Sequence, residues 1–286
     1  MLARAPGVKQ LAMVMVVLIG LAACSSFSLL YSFAEGFVIA ETEFFLEPED
    51  DDAEFIKLKV HEGIKWHTAV MLPRYARAFS SWADIVEAGP LTRETTTLFL
   101  KELRLLINDL IIGGTPFAAE VLVRHTSPAQ IKGLGERLAE KMAELREDYQ
   151  DLDEQFEERS ETITDNIERI TGTLNDQQRA RITAYVKSRE GSIAGWLENR
   201  QMRQNAFLSF LAGQPEQAQI TSFLIQITLR PHEIVDPQYR ANSEERWAAI
   251  GRMMFDVMST LTEVQRRESV KNLRDYAADM LEVSSP

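Results

Sequence analysis

Two histidines and a neighbouring glutamate are the first residues of the chain that could do chemistry. His61 and His67 lie six residues apart, and Glu62 follows the first of them. Zinc proteases use two histidines four residues apart, so that both imidazoles lie on one helix face beside a glutamate that acts as general base. A separation of six turns the second histidine about 240° away from the first. Because the chain has only one cysteine and four histidines, it predicts no metal site, catalytic or structural.

The segment around Pro73 combines aromatic and cationic residues. Trp66 and His67 precede this proline, and Arg74 and Tyr75 follow it. A proline interrupts a helical pattern, because it removes a backbone donor, and a turn here could present the four side chains on one surface. In the alternative interpretation the two aromatic rings pack in the core while Arg74 pairs with an acidic neighbour. We take the four residues as a tentative binding surface and keep core packing as the alternative.

The only cysteine follows a secretory leader. A basic stretch precedes the apolar run of residues 11–20, which is followed by Leu21-Ala22-Ala23-Cys24. This order is typical of a signal peptide, and the run is shorter than the roughly 20 residues that span a bilayer. Leu-Ala-Ala-Cys resembles a bacterial lipobox. The resemblance implies that residues 1–23 are a lipoprotein signal peptide and that Cys24 is a lipidation site, carrying a diacylglycerol and an N-acyl chain.

The residues after the cysteine indicate where the protein is held. Ser25 and Ser26 follow it. Because the position directly after the cysteine is not aspartate, the segment resembles those of lipoproteins that are exported to the outer membrane. We therefore expect a protein on the periplasmic face of that membrane, with the bilayer as a partner through the acyl anchor, since several acyl chains bind firmly where one binds marginally. The apolar residues 27–40 either dock onto the core or lie partly in the lipid interface.

The charge balance argues against nucleic acid as a partner. The chain carries 43 acidic and 31 basic residues, which gives a net charge of −12. Such an excess of negative charge repels phosphate backbones.

Apolar residues recur at spacings of three and four throughout the chain, which is typical of helices. We therefore predict an all-α fold, an elongated multi-helix bundle. It forms a single helical domain over 24–286, with possible subdomains 24–127 and 175–286 joined by a long helix at 128–170. Helices are expected at 27–46, 49–72, 74–88, 92–112, 116–125, 128–170, 175–190, 192–212, 215–229, 237–259 and 262–283.

Two of these segments have distinctive patterns. Residues 136–168 hold 13 acidic and four basic residues, without proline or glycine, so the simplest prediction is one long acidic helix with a single apolar seam. Residues 92–112 have a broad apolar stripe, which predicts a helix buried on more than one side.

Four helix starts carry capping residues. A Ser, Thr or Asn three residues before Gln predicts a capping box, in which the two side chains satisfy each other's backbone donors. These helix-cap residues are Thr92, Ser127 with Gln130, Asn175 with Gln178, and Thr262 with Gln265.

Two resemblances follow from these motifs. Leu261 to Gln265 reads Leu-Thr-x-x-Gln, and it resembles the signature of the Spy/CpxP class of periplasmic stress proteins. A closer resemblance covers nearly the whole chain after residue 23, and it is to a family of bacterial helical lipoproteins catalogued as a domain of unknown function. It implies lipidation and an all-helical fold, but no activity or catalytic residue. The pieces that carry it are Cys24-Ser25-Ser26, Tyr31, Trp66-His67, residues 72–76, residues 144–149, residues 174–179 and residues 196–200.

Taken together, these features predict a membrane-anchored periplasmic lipoprotein that is not an enzyme and that binds an envelope protein, or itself, through helical surfaces. No cofactor is expected apart from the acyl chains on Cys24. One alternative is a holdase-like periplasmic stress chaperone. A further alternative is an envelope hydrolase, since helices rich in glutamate can conceal a catalytic pair of carboxylates.

Overall fold

The computed structural model describes residues 26–237 and 239–285, so the expected signal peptide and Cys24 lie outside the described residues. The regular elements of the described ranges are helical, which confirms the all-α prediction. A π-helical turn, His67–Met71, and short 3₁₀ turns complete them. The α-helices are α1 (Ser26–Leu46), α2 (Asp50–Trp66), α3 (Leu72–Ala88), α4 (Arg93–Leu122), α5 (Pro128–Asp148), α6 (Leu152–Thr171), α7 (Asp176–Lys187), α8 (Ile193–Ala212), α9 (Gln217–Leu229), α10 (Tyr239–Met258) and α11 (Glu263–Ser284).

The apolar core is divided into clusters that join distant parts of the chain. In the first cluster α3 packs against α11, with the ring of Phe79 6.2 Å from that of Tyr276. The second joins α1, α2, α4, α5, α8 and α9 around Ile56 and Leu211, and the third joins α6, α7 and α10 around Ile182. The possible subdomains 24–127 and 175–286 therefore share their cores.

The expected long helix at 128–170 is wrong, because the chain breaks between α5 and α6. Tyr149 leaves the helical conformation at ψ 11°, and its ring packs 5.8 Å from that of Trp196 on α8. The carboxylate of Asp151 then accepts a hydrogen bond from the N–H of Glu154 and caps α6. Within a run of acidic residues, the sequence pattern assigns Asp151 to the exposed face of a helix. A short polar side chain can also bond a backbone N–H and so begin a new helix, as Asp151 does here.

Two prolines that predicted helix ends lie within helical segments. The expected helices 92–112 and 116–125 are one helix, α4, which contains Pro116. The expected break at Pro73 is replaced by the π-helical turn, where the N–H of Leu72 donates to the carbonyl of His67, five residues back. This wider turn places Pro73 in the first turn of α3, where its missing N–H costs little.

Candidate functional site

The four residues around Pro73 come together, but they do so as packing between α2, α3 and α4. His67 is buried, and its ring centroid lies 6.4 Å from that of Trp66 and 5.6 Å from that of Tyr75. Burial raises the pKa of Tyr75 to about 12, with a smaller contribution from the charge of Asp109. That aspartate also pairs with Arg74 at 2.7 Å. The aromatic rings therefore pack against one another and Arg74 pairs with an acidic neighbour, as in the core-packing interpretation.

Burial also lowers the pKa of His67 from 6.5 to about 4. Below pH 6.5 the unfolded chain therefore binds a proton at this site, while the folded chain does not until the pH approaches 4. The contribution of His67 to the free energy of unfolding is therefore fully present above pH 6.5 and is lost as the pH falls. We expect the free energy of unfolding to fall by about 2 kcal/mol from this residue between pH 6.5 and pH 5. Urea unfolding at several pH values should show this slope in the wild type and a shallower one in His67→Phe. Equal slopes would contradict the prediction.

The indole of Trp66 lies directly against the backbone of α4. A Cβ atom placed on Gly113 would be 1.9 Å from Cζ2 of Trp66, whereas the nearest atom of that ring to a Cβ on Gly114 would be 3.9 Å away. The ring also lies 6.1 Å from that of Phe117. The glycine at 113 therefore sets how closely α2 and α4 approach each other.

The predicted capping side chains bond as capping boxes at the starts of α4, α5, α7 and α11. The boxes of α7 and α11 are also joined to each other. The side-chain amides of Gln178 and Gln265 are buried and bond reciprocally, at 3.2 and 2.9 Å. Gln178 donates further to the carbonyl of Thr260 at 3.1 Å, and Gln265 donates to that of Thr173 at 2.8 Å. Two helix starts that are distant in sequence are thus held together by their cap glutamines.

Two segments that carry the resemblance of the sequence analysis meet at an open groove. Residues 144–148 end α5 and Tyr149 follows it, while residues 196–200 lie in α8. Between them lies an open groove of about 580 Å³ whose lining is mainly apolar and includes charged residues of both signs. Its lining residues include Arg146, Tyr149, Leu152, Glu190, Leu197 and Met202. Such a shape admits a side chain or a short peptide segment.

Helix α4 exposes a row of large apolar side chains. Leu98, Leu105 and Ile112 recur every seven residues and are 61%, 54% and 48% exposed; we call them the α4 stripe. By length and composition α4 could cross a membrane, yet only 17% of its most apolar stretch is buried. The expectation that residues 92–112 are buried on more than one side is therefore wrong, because the other helices cover only part of this one.

The described residues, 26–237 and 239–285, show no grouping typical of a metal or catalytic site. No group of three or more His, Cys, Asp or Glu side chains in these ranges could hold a metal ion. Among the same residues the fully buried polar side chains include no Asp or Glu, and the hydrolase alternative requires two buried acids that face one pocket.

The structure defines an all-helical protein whose capping glutamines join distant helices and whose longest helix leaves an apolar stripe exposed. The chain belongs to a family of unknown function, DUF6279, whose model matches residues 45–240. This confirms the resemblance to an uncharacterised family, and the match runs from the end of α1 to the first residues of α10. The weaker resemblance to the Spy/CpxP class is not shown by the comparisons. No curated protein and no solved structure matches the chain.

Proposed function

We propose that the protein is a lipid-anchored, non-enzymatic protein of the bacterial envelope that binds another envelope protein through the α4 stripe. The observation that carries the proposal is the exposure of Leu98, Leu105 and Ile112 in a row on one helix. Large apolar side chains grouped on a surface are typical of sites that bind a partner.

The spacing of the stripe favours a helix as the partner segment. Side chains seven residues apart form a seam along one face of a helix, and an amphipathic helix buries its apolar side against such a seam. Lys101 lies between Leu98 and Leu105, is exposed, and forms no ion pair within the described part of the chain. We therefore expect the partner helix to carry an acidic residue opposite Lys101.

The start of α1 supports anchoring close to the bilayer. The helix begins at Ser26, so a single residue, Ser25, lies in the sequence between the proposed anchor and the first helix. Phe33 on this helix is exposed. Its position seven residues into α1 is about 10 Å along the helix axis from Ser26, which is within reach of the headgroup region. The proposed location is the periplasmic face of the outer membrane.

Site-specific photo-crosslinking in intact cells tests the proposed function. A photo-reactive amino acid at Leu105 should crosslink to one or two dominant envelope proteins, identified by mass spectrometry of the membrane fraction. The matched control is Leu58 on α2, which is 50% exposed but lies outside the stripe. Leu105→Glu should abolish partner recovery, since it places a charge in an apolar contact, whereas Leu58→Glu should leave it intact.

Cys24→Ser should move the protein into the soluble fraction.

Other outcomes would select the alternatives. A broad set of partly unfolded envelope proteins crosslinked at Leu105 would favour the holdase-like chaperone. Crosslinks between copies of the chain alone would favour self-association. Equal yields and identical products at Leu105 and Leu58 would contradict the role of the stripe, and retention of Cys24→Ser in the membrane would contradict the acyl anchor.

A further inference from the structure

The groove between α5 and α8 has two walls whose spacing is fixed by direct contacts. The end of α5 and the start of α6 form one wall, and the first three turns of α8 form the other. The ring of Tyr149 lines the groove and packs 5.8 Å from that of Trp196. Nη2 of Arg146 also donates to Oε1 of Gln201 across the groove, at 3.4 Å. Because these contacts hold the walls in place, the groove is formed before a ligand binds, which lowers the entropic cost of binding.

The α8 wall gives the groove the length of a short peptide. Ile193 and Leu197 are four residues apart and share one face of the helix. Ala194, Glu198 and Met202 form the neighbouring row at the same spacing. The two rows run for about 13 Å along the helix axis, which is the length of about four residues of extended chain. The groove therefore admits a short extended segment with an apolar side chain against its lining.

The groove lies in an acidic part of the surface. Residues 147–154, which include the lining residues Tyr149 and Leu152, hold five acidic residues and no basic one. On the α8 side, Glu190 and Glu198 line the groove and are exposed. Within the described part of the chain none of these carboxylates forms an ion pair. They outnumber Arg146, so the groove attracts an occupant with positive charge and repels one with negative charge.

We propose that this groove binds a short segment of another polypeptide in which apolar side chains are flanked by lysine or arginine. The lining covers the apolar side chains, and removing that surface from water supplies most of the affinity. The flanking cations face Glu190, Glu198 and the acidic residues of 147–154, which orient the segment and exclude acidic ones. The groove uses residues outside the α4 stripe, so the proposal does not depend on the proposed function.

Fluorescence anisotropy with the full-length protein in a non-ionic detergent tests the proposal, with the detergent alone as the blank. The probe is a labelled peptide of sequence Lys-Lys-Leu-Leu-Lys-Lys. We expect saturable binding at low ionic strength that weakens as salt is added, because the added ions screen the charges. Two control peptides, Glu-Glu-Leu-Leu-Glu-Glu and Lys-Lys-Ser-Ser-Lys-Lys, each lack one of the two features. Each should bind about tenfold more weakly than the probe, or worse.

Two substitutions place the binding in the groove. Ala194→Arg fills the groove and adds a positive charge, and it should weaken binding of the probe about tenfold. Glu198→Lys reverses one charge of the lining and should weaken binding roughly fivefold at low ionic strength. The matched controls are Ala212→Arg at the other end of α8 and Glu282→Lys on α11, which lie outside the groove and should bind the probe as the wild type does.

Thermal melting separates a loss of binding from a loss of folding. The four substituted side chains are exposed, so each variant should melt within about 2 °C of the wild type. If Ala194→Arg melts lower than this, Glu198→Lys alone decides whether the groove is the site.

The proposal is overturned if the probe shows no saturable binding, or if Ala194→Arg and Glu198→Lys bind it as tightly as their controls. Equal or tighter binding of the glutamate-flanked peptide would also contradict it, because the acidic surface could not then be selecting the occupant. Leu105→Glu in the α4 stripe should leave binding of the probe unchanged. Loss of binding in that variant alone would assign the probe to the stripe and overturn the role of the groove.

Discussion

Gly113→Ala is expected to lower the free energy of unfolding by about 3 kcal/mol and the melting temperature by roughly 8 °C. The added Cβ would lie 1.9 Å from Cζ2 and 2.5 Å from Cη2 of Trp66, which is far inside the van der Waals limit. The indole lies 6.4 Å from the ring of His67 and 6.1 Å from that of Phe117, so moving it disturbs its packing against both. Either α2 and α4 separate or the ring leaves its place, and both expose apolar surface. Denaturant unfolding and thermal melting measure the effect.

The neighbouring glycine provides a matched control. Gly114→Ala would bring its Cβ to 3.9 Å from the same ring, an ordinary contact. Alanine is favoured over glycine within a helix, so this variant should be stabilised by roughly 0.5–1 kcal/mol. In the background of Trp66→Leu, the cost of Gly113→Ala should largely disappear, because the atoms it would meet are gone. An equal loss of stability in the two glycine variants would show that the close contact between Trp66 and Gly113 is not what limits packing here.

Gln178→Ala and Gln265→Ala are each expected to lower the free energy of unfolding by about 3 kcal/mol. Each amide satisfies a backbone N–H at its own helix start, at 3.0 Å for Asn175 and 2.9 Å for Thr262. Each also bonds the other amide and a backbone carbonyl of the opposite segment. Truncation leaves these buried groups unpaired, and a buried polar group without a partner carries its full desolvation cost. Chemical denaturation of the purified variants measures the loss.

A double-mutant cycle shows whether the two caps act together. The double variant should lose less than the sum of the single losses by about 1–2 kcal/mol, because the second truncation removes a partner that is already missing. Gln177→Ala is the control, since Gln177 is exposed beside Gln178 in the first turn of α7 and should change stability by less than about 0.5 kcal/mol. Strict additivity would contradict a direct coupling between α7 and α11.

The helix starts could be predicted because capping is a local matter. The helices α4, α5, α7 and α11 begin one residue after Thr92, Ser127, Asn175 and Thr262. A cap side chain bonds a backbone N–H three residues away, so everything that decides it lies within one turn of sequence. Nothing local indicated that Gln178 and Gln265, 87 residues apart, would bond each other.

The helix breaks were harder to predict, because they depend on what packs against each segment. Proline at 73 lies in the first turn of α3 because a π-helical turn precedes it, and proline at 116 lies within α4. The break at Tyr149 coincides with the contact between its ring and Trp196 on α8. The spacing of apolar residues shows that a segment is suited to a helix. Whether that helix continues depends on the neighbouring helix that packs against it.

The exposure of the α4 stripe likewise depends on tertiary packing and not on the local sequence. Leu98, Leu105 and Ile112 have the spacing of a buried face, and only their exposure shows that no other helix covers them.

By itself the sequence determined the class of fold, the capping of the principal helices and the membership of an uncharacterised family, because each depends on short-range patterns along the chain. Which helices merge and which helix faces remain exposed could be seen only once the helices were packed together. Those features depend on contacts between residues far apart in sequence. An amphipathic period of 3.6 residues looks the same whether its apolar face meets the core, a partner or solvent.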